Sequence, residues 1–419
     1  MKKYITLLGA LISVVFSHCQ SDLLNGDNQI FNESVRTVIF HHSGNELSQP
    51  YVELGNGQLF MRFDDIGGDF RDLYYTVYLC DAQWNFSEHD QVEYVTGFAE
   101  NYISDYEQSF NTYVDFTHYQ LSFPNDMSSV NRSGNYLLVV YEDGDIDQPV
   151  LARRFVVFEN LVGIDARMKQ PTEIGERKYR QEVDFTIHHD FFDIQNPYED
   201  LTVQILQNNR WDNAIGDLKP RFVKDRELDY DYGKENTFDG GNEFREFDLK
   251  QLDFITLQVA RIELVDKIWN CWLKPDPKRT FLQYKTIRDI NGNFLVRNDD
   301  GFETHLESDY VVVHFTLPFD FPMAESEIYV YGALSNWQKH PDFKMDYNYD
   351  RKQYECSVML KQGFYNYLYL IDGADYFGQN TNVEGSHFVT ENEYMIFVYN
   401  YDIAEDYDRV IGMKLIENQ

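Results

Sequence analysis

The stretch GNYLLVVYEDGD at 134–145, with LARRFVVF at 151–158 behind it, decides the fold class. Gly134 opens an aromatic and β-branched run, an acidic turn follows, and a second apolar run returns. That is the pattern of two strands joined by a hairpin. Working outward, short segments of the same kind recur at Val35–Phe40, Gln58–Phe63, Tyr74–Cys80 and Asn111–Phe123. In the third of these Tyr75, Val77 and Leu79 fall on one face, as the two-residue strand period requires. Such spacing predicts an immunoglobulin- or fibronectin-like sandwich over 20–162, with only a short helical possibility near 87–103.

Composition points the same way. The 419 residues include 31 Tyr and 32 Phe against 9 Met, and planar rings suit half-buried strands. With 43% hydrophobic residues, disorder is excluded as the general state. A second module begins near Gly163, with strands at Glu182–His188 and Leu201–Leu206. A polar stretch follows at 210–249 that still carries Trp211, Phe222, Tyr230, Phe238, Phe244 and Phe247. Those rings predict ordered loops and short strands anchored on a sheet, with further strands at Ile255–Val265 and Phe281–Arg288. The expected middle domain spans 163–304.

The third module, 305–419, alternates through Val311, Val313, Phe315 and Leu317, and again through Met395, Phe397, Tyr399 and Tyr401. GNY at 134–136 is echoed by GFY at 363–365. The expected architecture is therefore all-β: tandem immunoglobulin- or fibronectin-like and early-set sandwiches with little helix.

A net charge of −34 excludes nucleic acid as a partner, because phosphate binding needs clustered Lys or Arg and no basic run is present. The same field serves solubility or steers a basic partner. Lys2 and Lys3 followed by the apolar Tyr4–Phe16 form an export signal, expected to end at residue 19. Cys19 is a candidate lipidated residue, although Phe16-Ser17-His18 departs from the usual small-residue lipobox. No later segment is long and apolar enough to span a bilayer as a helix. Cys80, Cys271 and Cys356 are spaced for neither a disulfide framework nor a metal site, and read as small buried hydrophobes.

Catalysis has no motif here: no nucleophile elbow, no zinc-protease helix, no phosphate-cradling loop. No enzyme activity, cofactor or metal is expected. DINGN at 289–293 places its Gly wrongly for a calcium loop, and EDGDID at 142–147 reads equally as a hairpin tip. In His41-His42 and His188-His189, strand neighbours point to opposite faces and cannot clamp one ion.

Two resemblances add to this. Gly332, Asn336 and Trp337, with Gly363, Tyr365, Tyr367, Asp372 and Gly373 downstream, resemble the early-set glycogen-binding modules. That likeness implies a sugar-stacking Trp337 beside Asn336, although the same turn also serves as framework. Over essentially the whole chain the sequence resembles the type IX secretion system plug proteins of Bacteroidetes. The strings that carry this are RRFVVFE at 153–159, QNNRWDNAI at 207–215, LKP at 218–220, GGNEFREFD at 240–248 and DINGNF at 289–294.

The resemblance implies a non-enzymatic periplasmic protein at the inner face of the outer membrane. There it would act as a monomer within a hetero-complex, closing the giant β-barrel translocon until cargo passes. On that reading the 208–248 loops meet the barrel through Arg210, Trp211, Asp212, Asn213, Lys219 and Phe222. The alternative is a glycan-binding exported protein.

Overall fold

The computed structural model describes residues 24–68, 70–373 and 380–417; the expected export signal, with Cys19, lies outside them. The chain is all-β, with three helices of four residues each among the described residues. The strand Gly134–Glu142 pairs with Pro149–Phe158 on one side and Leu73–Cys80 on the other. The hairpin turns through Asp143 and Gly144, both at positive φ. Gln29–Ile30, Tyr51–Glu53 and Asn101–Tyr102 complete this sheet. Facing it lie Val35–His42, Leu59–Asp65, Thr117–Phe123 and Asp105–Gln108.

The apolar run at 136–141 is unbroken because both of its faces are covered. Tyr136, Leu138 and Val140 enter the sandwich core, while Leu137, Val139 and Tyr141 enter a second core shared with the next sandwich. Cys80, Cys271 and Cys356 are free and buried, their thiols each pushed up to about 12 by burial.

The remaining chain differs from two consecutive modules. One sheet of the middle sandwich holds Gly163–Lys169, Arg180–His188, Glu227–Tyr230, Phe222–Val223 and Thr237–Asp239. Its other sheet is ordered Arg210–Ile215, Leu201–Gln207, Glu393–Asp402, Tyr407–Glu417. The last hairpin of the chain thus pairs residue for residue with Leu201–Gln207 and fills the middle core. The third sandwich lies between these halves. Arg245–Asp248, Gly363–Gly373, Phe294–Val296 and Ser326–Tyr331 face Val259–Val265, Ile268–Leu273, Tyr310–Pro318, Gln353–Lys361 and Asp346–Asn348.

The expected division at 304/305 is corrected accordingly: strands on both sides of it belong to one core. Alternation along a strand reports which face is buried, not which sheet receives it. A second expectation also falls. Residues 281–288 form no strand, and Phe281 stands 99% exposed.

Entry to and exit from the inserted sandwich run side by side. A Cβ on Gly240 would lie 2.0 Å from the His387 carbonyl oxygen, so only glycine fits that crossing. The His387 amide donates to the Gly241 carbonyl at 2.8 Å, and Asn392 Nδ2 to that of Gly240 at 2.8 Å. Farther in, the buried Arg245 bonds Asp276 at 2.9 Å and Glu384 at 3.0 Å, with Tyr367 and Tyr369 also donating to Asp276. The string GGNEFREFD is the root of this insertion.

Candidate functional site

The three sandwiches meet at one cleft of about 720 Å³. It gathers Trp84, Trp211 and Trp337, three of the five tryptophans, one from each sandwich. The strand Arg210–Ile215 makes the junction through the alternation of its side chains. Trp211 turns towards the N-terminal sandwich, edge-on to Trp84 at 4.9 Å and stacked on Phe397 at 5.9 Å. Arg210 turns towards the inserted one, its guanidinium 5.2 Å from the ring centres of both Tyr331 and Trp337. Asp212 clasps Arg210 at 2.6 and 3.1 Å. Burial alone would weaken the Arg210 charge, but the Asp212 carboxylate outweighs it and holds the pKa above the usual value.

On the opposite wall Arg154 bonds Asp27 at 2.7 Å and lies 4.4 Å over Trp84. Its neighbour Arg153 points the other way, donating to the Asn336 side-chain oxygen at 2.9 Å and to the Gln29 carbonyl at 2.9 Å. Burial without a carboxylate partner lowers Arg153 to about 9. Asn336 and Trp337 both adopt positive φ, which folds the Gly332–Trp337 turn back on itself. Trp337 is half-buried against Phe244 and Tyr331, and a Cβ on Gly292 would lie 2.4 Å from its ring. DINGNF is therefore the turn that seats Trp337.

Of the residues singled out by sequence, Arg210, Trp211, Asp212, Asn336 and Trp337 converge on this junction. Asn213 bonds Gln207, and Lys219 donates to the Leu201 carbonyl at 2.9 Å; both serve the middle sandwich itself. Phe222 sits away from the cleft, 58% exposed on an outer strand. Trp84, Arg154 and Asp27 were not singled out. Consecutive arginines inside an otherwise apolar strand were the available signal for Arg154. Glu182, Asp184 and Asp231 form one three-carboxylate group, but the Lys169 ammonium already sits among them at 3.2, 2.5 and 3.4 Å.

Residues 35–159, the first sandwich, match the family described as type 9 secretion system plug protein, 1st domain. The N-terminal sandwich is thus similar to the first domain of the plug proteins, and this match supports the plug family resemblance. The whole chain is also similar to the crystal structure of a hypothetical protein from Parabacteroides merdae. The two share 34% identity over 93% of this chain and 99% of that one, with a TM-score of 0.90. No curated protein matches.

The plug family that this first-domain match points to is one of secretion and not of enzymes, and it suggests association with the secretion system and a place in the cell envelope. No helix among the described residues is long and apolar enough to cross a membrane. The glycan-module likeness gains no support: Arg210 occupies the Trp337 ring and Arg153 holds Asn336.

Proposed function

We propose that this chain docks on the periplasmic opening of the large outer-membrane barrel of the type IX secretion system and closes it until cargo is transported. The supporting observation is the plug first-domain match over 35–159, carried on a body of three sandwiches locked to one another. A stopper must keep its shape under load, and mutually buttressed sheets resist deformation better than domains on flexible linkers. A stable but releasable seat needs about 1,200–2,000 Å² of contact. Exposed Asp212 and Phe222 are the notable surface positions of the middle sandwich for that contact, while Arg210, Trp211, Asn213 and Lys219 hold the scaffold beneath. The charge of −34 would steer the encounter towards a basic surface.

Co-purification from detergent-extracted outer membranes tests the docking, and leakage of a periplasmic marker in a deletion strain tests the closure. Recovery of a very large barrel protein and restored tightness on complementation are expected. A chain that recovers no barrel, or a deletion strain with an intact permeability barrier, would overturn the reading.

A further inference from the structure

We infer that the open edge of the N-terminal sandwich, the strand Asp105–Gln108, takes an extended segment of the translocon that carries Lys or Arg and joins the sheet as a further strand. The inference rests on the docking reading above and names the surface and the partner chemistry that docking uses.

Backbone geometry comes first. Among the described residues Asp105–Gln108 has one strand neighbour, Thr117–Phe123, and ends its sheet. The Ser109 amide donates to the Phe116 carbonyl at 2.9 Å, so the ladder bonds of this antiparallel pair fall on Asp105, Glu107 and Ser109. Tyr106 and Gln108 therefore direct their N–H and C=O groups away from the sheet, and all four residues of the strand are exposed. Such an edge is a template for an added strand. Main-chain bonds supply affinity there, and alternate side chains supply specificity.

The side chains say which strand fits. Asp105 and Glu107 share one face, and among the described residues neither has an ion-pair partner; Asp105 accepts from Gln120 Nε2 at 2.9 Å. Arg62, in register with Gln120 one strand further in, is bonded to Glu46, and Arg71 is held by Asp65 at 2.9 Å. Between Arg71 and Arg132 the chain carries no Lys or Arg. Other outer strands bring their own bases: Arg261 meets Glu263 at 3.2 Å on Val259–Val265, and Lys224 meets Glu227 at 3.0 Å beside Phe222–Val223. The carboxylates at 105 and 107 are left to be matched from outside. They repel an acidic strand, the same edge of a second copy included, and attract Lys or Arg placed opposite them.

On the other face Tyr106 stacks on Phe70 at 5.0 Å, the two residues being 37% and 46% exposed. A residue added opposite Tyr106 meets that ring pair, so the fitting segment alternates base, apolar residue, base. The edge lies within 35–159, the residues that match the plug first domain.

The experiment measures equilibrium binding of the purified full chain to the detergent-purified translocon. Asp105→Lys with Glu107→Lys reverses the edge charge and should weaken binding about tenfold or more. Asp147→Lys with Asp253→Lys makes the same change of net charge at exposed positions elsewhere, and should alter binding less than about twofold. Gln108→Pro removes an outward N–H and obstructs an incoming strand, while losing inside the chain only the side-chain bond to Thr117. It too should weaken binding about tenfold. p-Benzoylphenylalanine in place of Tyr106 should crosslink to one translocon peptide with Lys or Arg beside the attachment point.

Wild-type binding by both edge variants would overturn the assignment and leave the docking reading standing. A wild-type chain that does not bind the translocon would remove the docking reading and this inference with it. Equal weakening by the two lysine pairs would assign the loss to overall charge and overturn the edge. Weakening by Asp105→Lys with Glu107→Lys but none by Gln108→Pro would overturn the added strand. A crosslink between two copies of the chain would put a second copy there instead.

Discussion

The N-terminal sandwich touches its two neighbours in opposite ways. Towards the middle sandwich it presents Leu137, Val139, Tyr141, Ala152 and Val156, which pack on Leu206, Met395, Phe397 and Tyr399 as one apolar core. Towards the inserted sandwich it presents charge. The buried Asp64 carboxylate accepts from His118 Nδ1, the Tyr310 hydroxyl and Lys361 Nζ, each at 2.6 Å. A bulge at Thr37 brings its hydroxyl to 2.9 Å from that of Tyr310. Arg62, Glu46 and His305 extend the network to the surface. Beside it a cavity of about 420 Å³ separates Val35–Val38 from the strand and turn residues of the inserted sandwich.

An apolar seam tolerates any protonation state and favours permanence, whereas a buried ionic seam holds only while every member is matched. The two seams therefore predict different failures.

The largest effect should come from breaking the ionic seam on one side. Lys361→Met leaves Asp64 buried without its cation and should cost about 3–5 kcal/mol in unfolding free energy. Adding Asp64→Asn should recover part of that loss, since no unpaired charge is then buried. A single variant that melts like the wild type would show the pair to be idle. Next comes the apolar seam. Leu137→Ala should cost about 2–5 kcal/mol through lost burial and the cavity left behind. Unlike the first loss, this one should be the same at pH 7 and pH 5.

Acid sharpens the contrast further. Burial, together with the neighbouring Arg62, depresses His305, so the unfolded chain takes up its proton first. Stability then falls as pH drops below 6.5. Glu46 is held at about 2 by its hydrogen bond to His305 and by Arg62, against the opposing effect of burial. Burial would raise Asp64, but Lys361 and His118 keep it below the ordinary range. Glu46 contributes stability that is lost progressively below about pH 4.5, and Asp64 stability that is lost below about pH 3.8. Hydrogen exchange followed from pH 7 to pH 4 should open the strands around Asp64 and Tyr310 before those around Leu137 and Phe397. Simultaneous opening would mean that the two seams are one cooperative unit.

This difference also marks what could be read in the sequence. Leu137, Val139 and Phe397 announce themselves as strand residues, and the all-β class follows from such alternation. Asp64, Lys361 and Tyr310 carry no local signature, because their meaning lies in partners 246 and 297 residues away. The insertion was hidden for the same reason. The last hairpin has a plain strand pattern, but nothing in it says that it pairs with Leu201–Gln207. The cleft was half legible. Arg210, Trp211, Asn336 and Trp337 stood out in two separate strings, yet their convergence depends on the insertion bringing the third sandwich back beside the middle one.

The smallest expected effect on stability separates the scaffold from the docking surface. Phe222 is 58% exposed on the short outer strand Phe222–Val223, and its ring belongs to no core cluster. Phe222→Ser should therefore shift unfolding by no more than about 0.5 kcal/mol. Trp211 is half-buried between Trp84 and Phe397, so Trp211→Ser should lose several times as much, on the order of 3 kcal/mol. Sequence reading placed these two rings together as anchors for one partner, and thermal melts alone will part them. If translocon recovery nonetheless falls in Phe222→Ser at unchanged stability, the contact surface extends from the N-terminal sandwich to the outer edge of the middle sandwich. If recovery is unchanged, Phe222 is an ordinary exposed ring and docking does not use that edge.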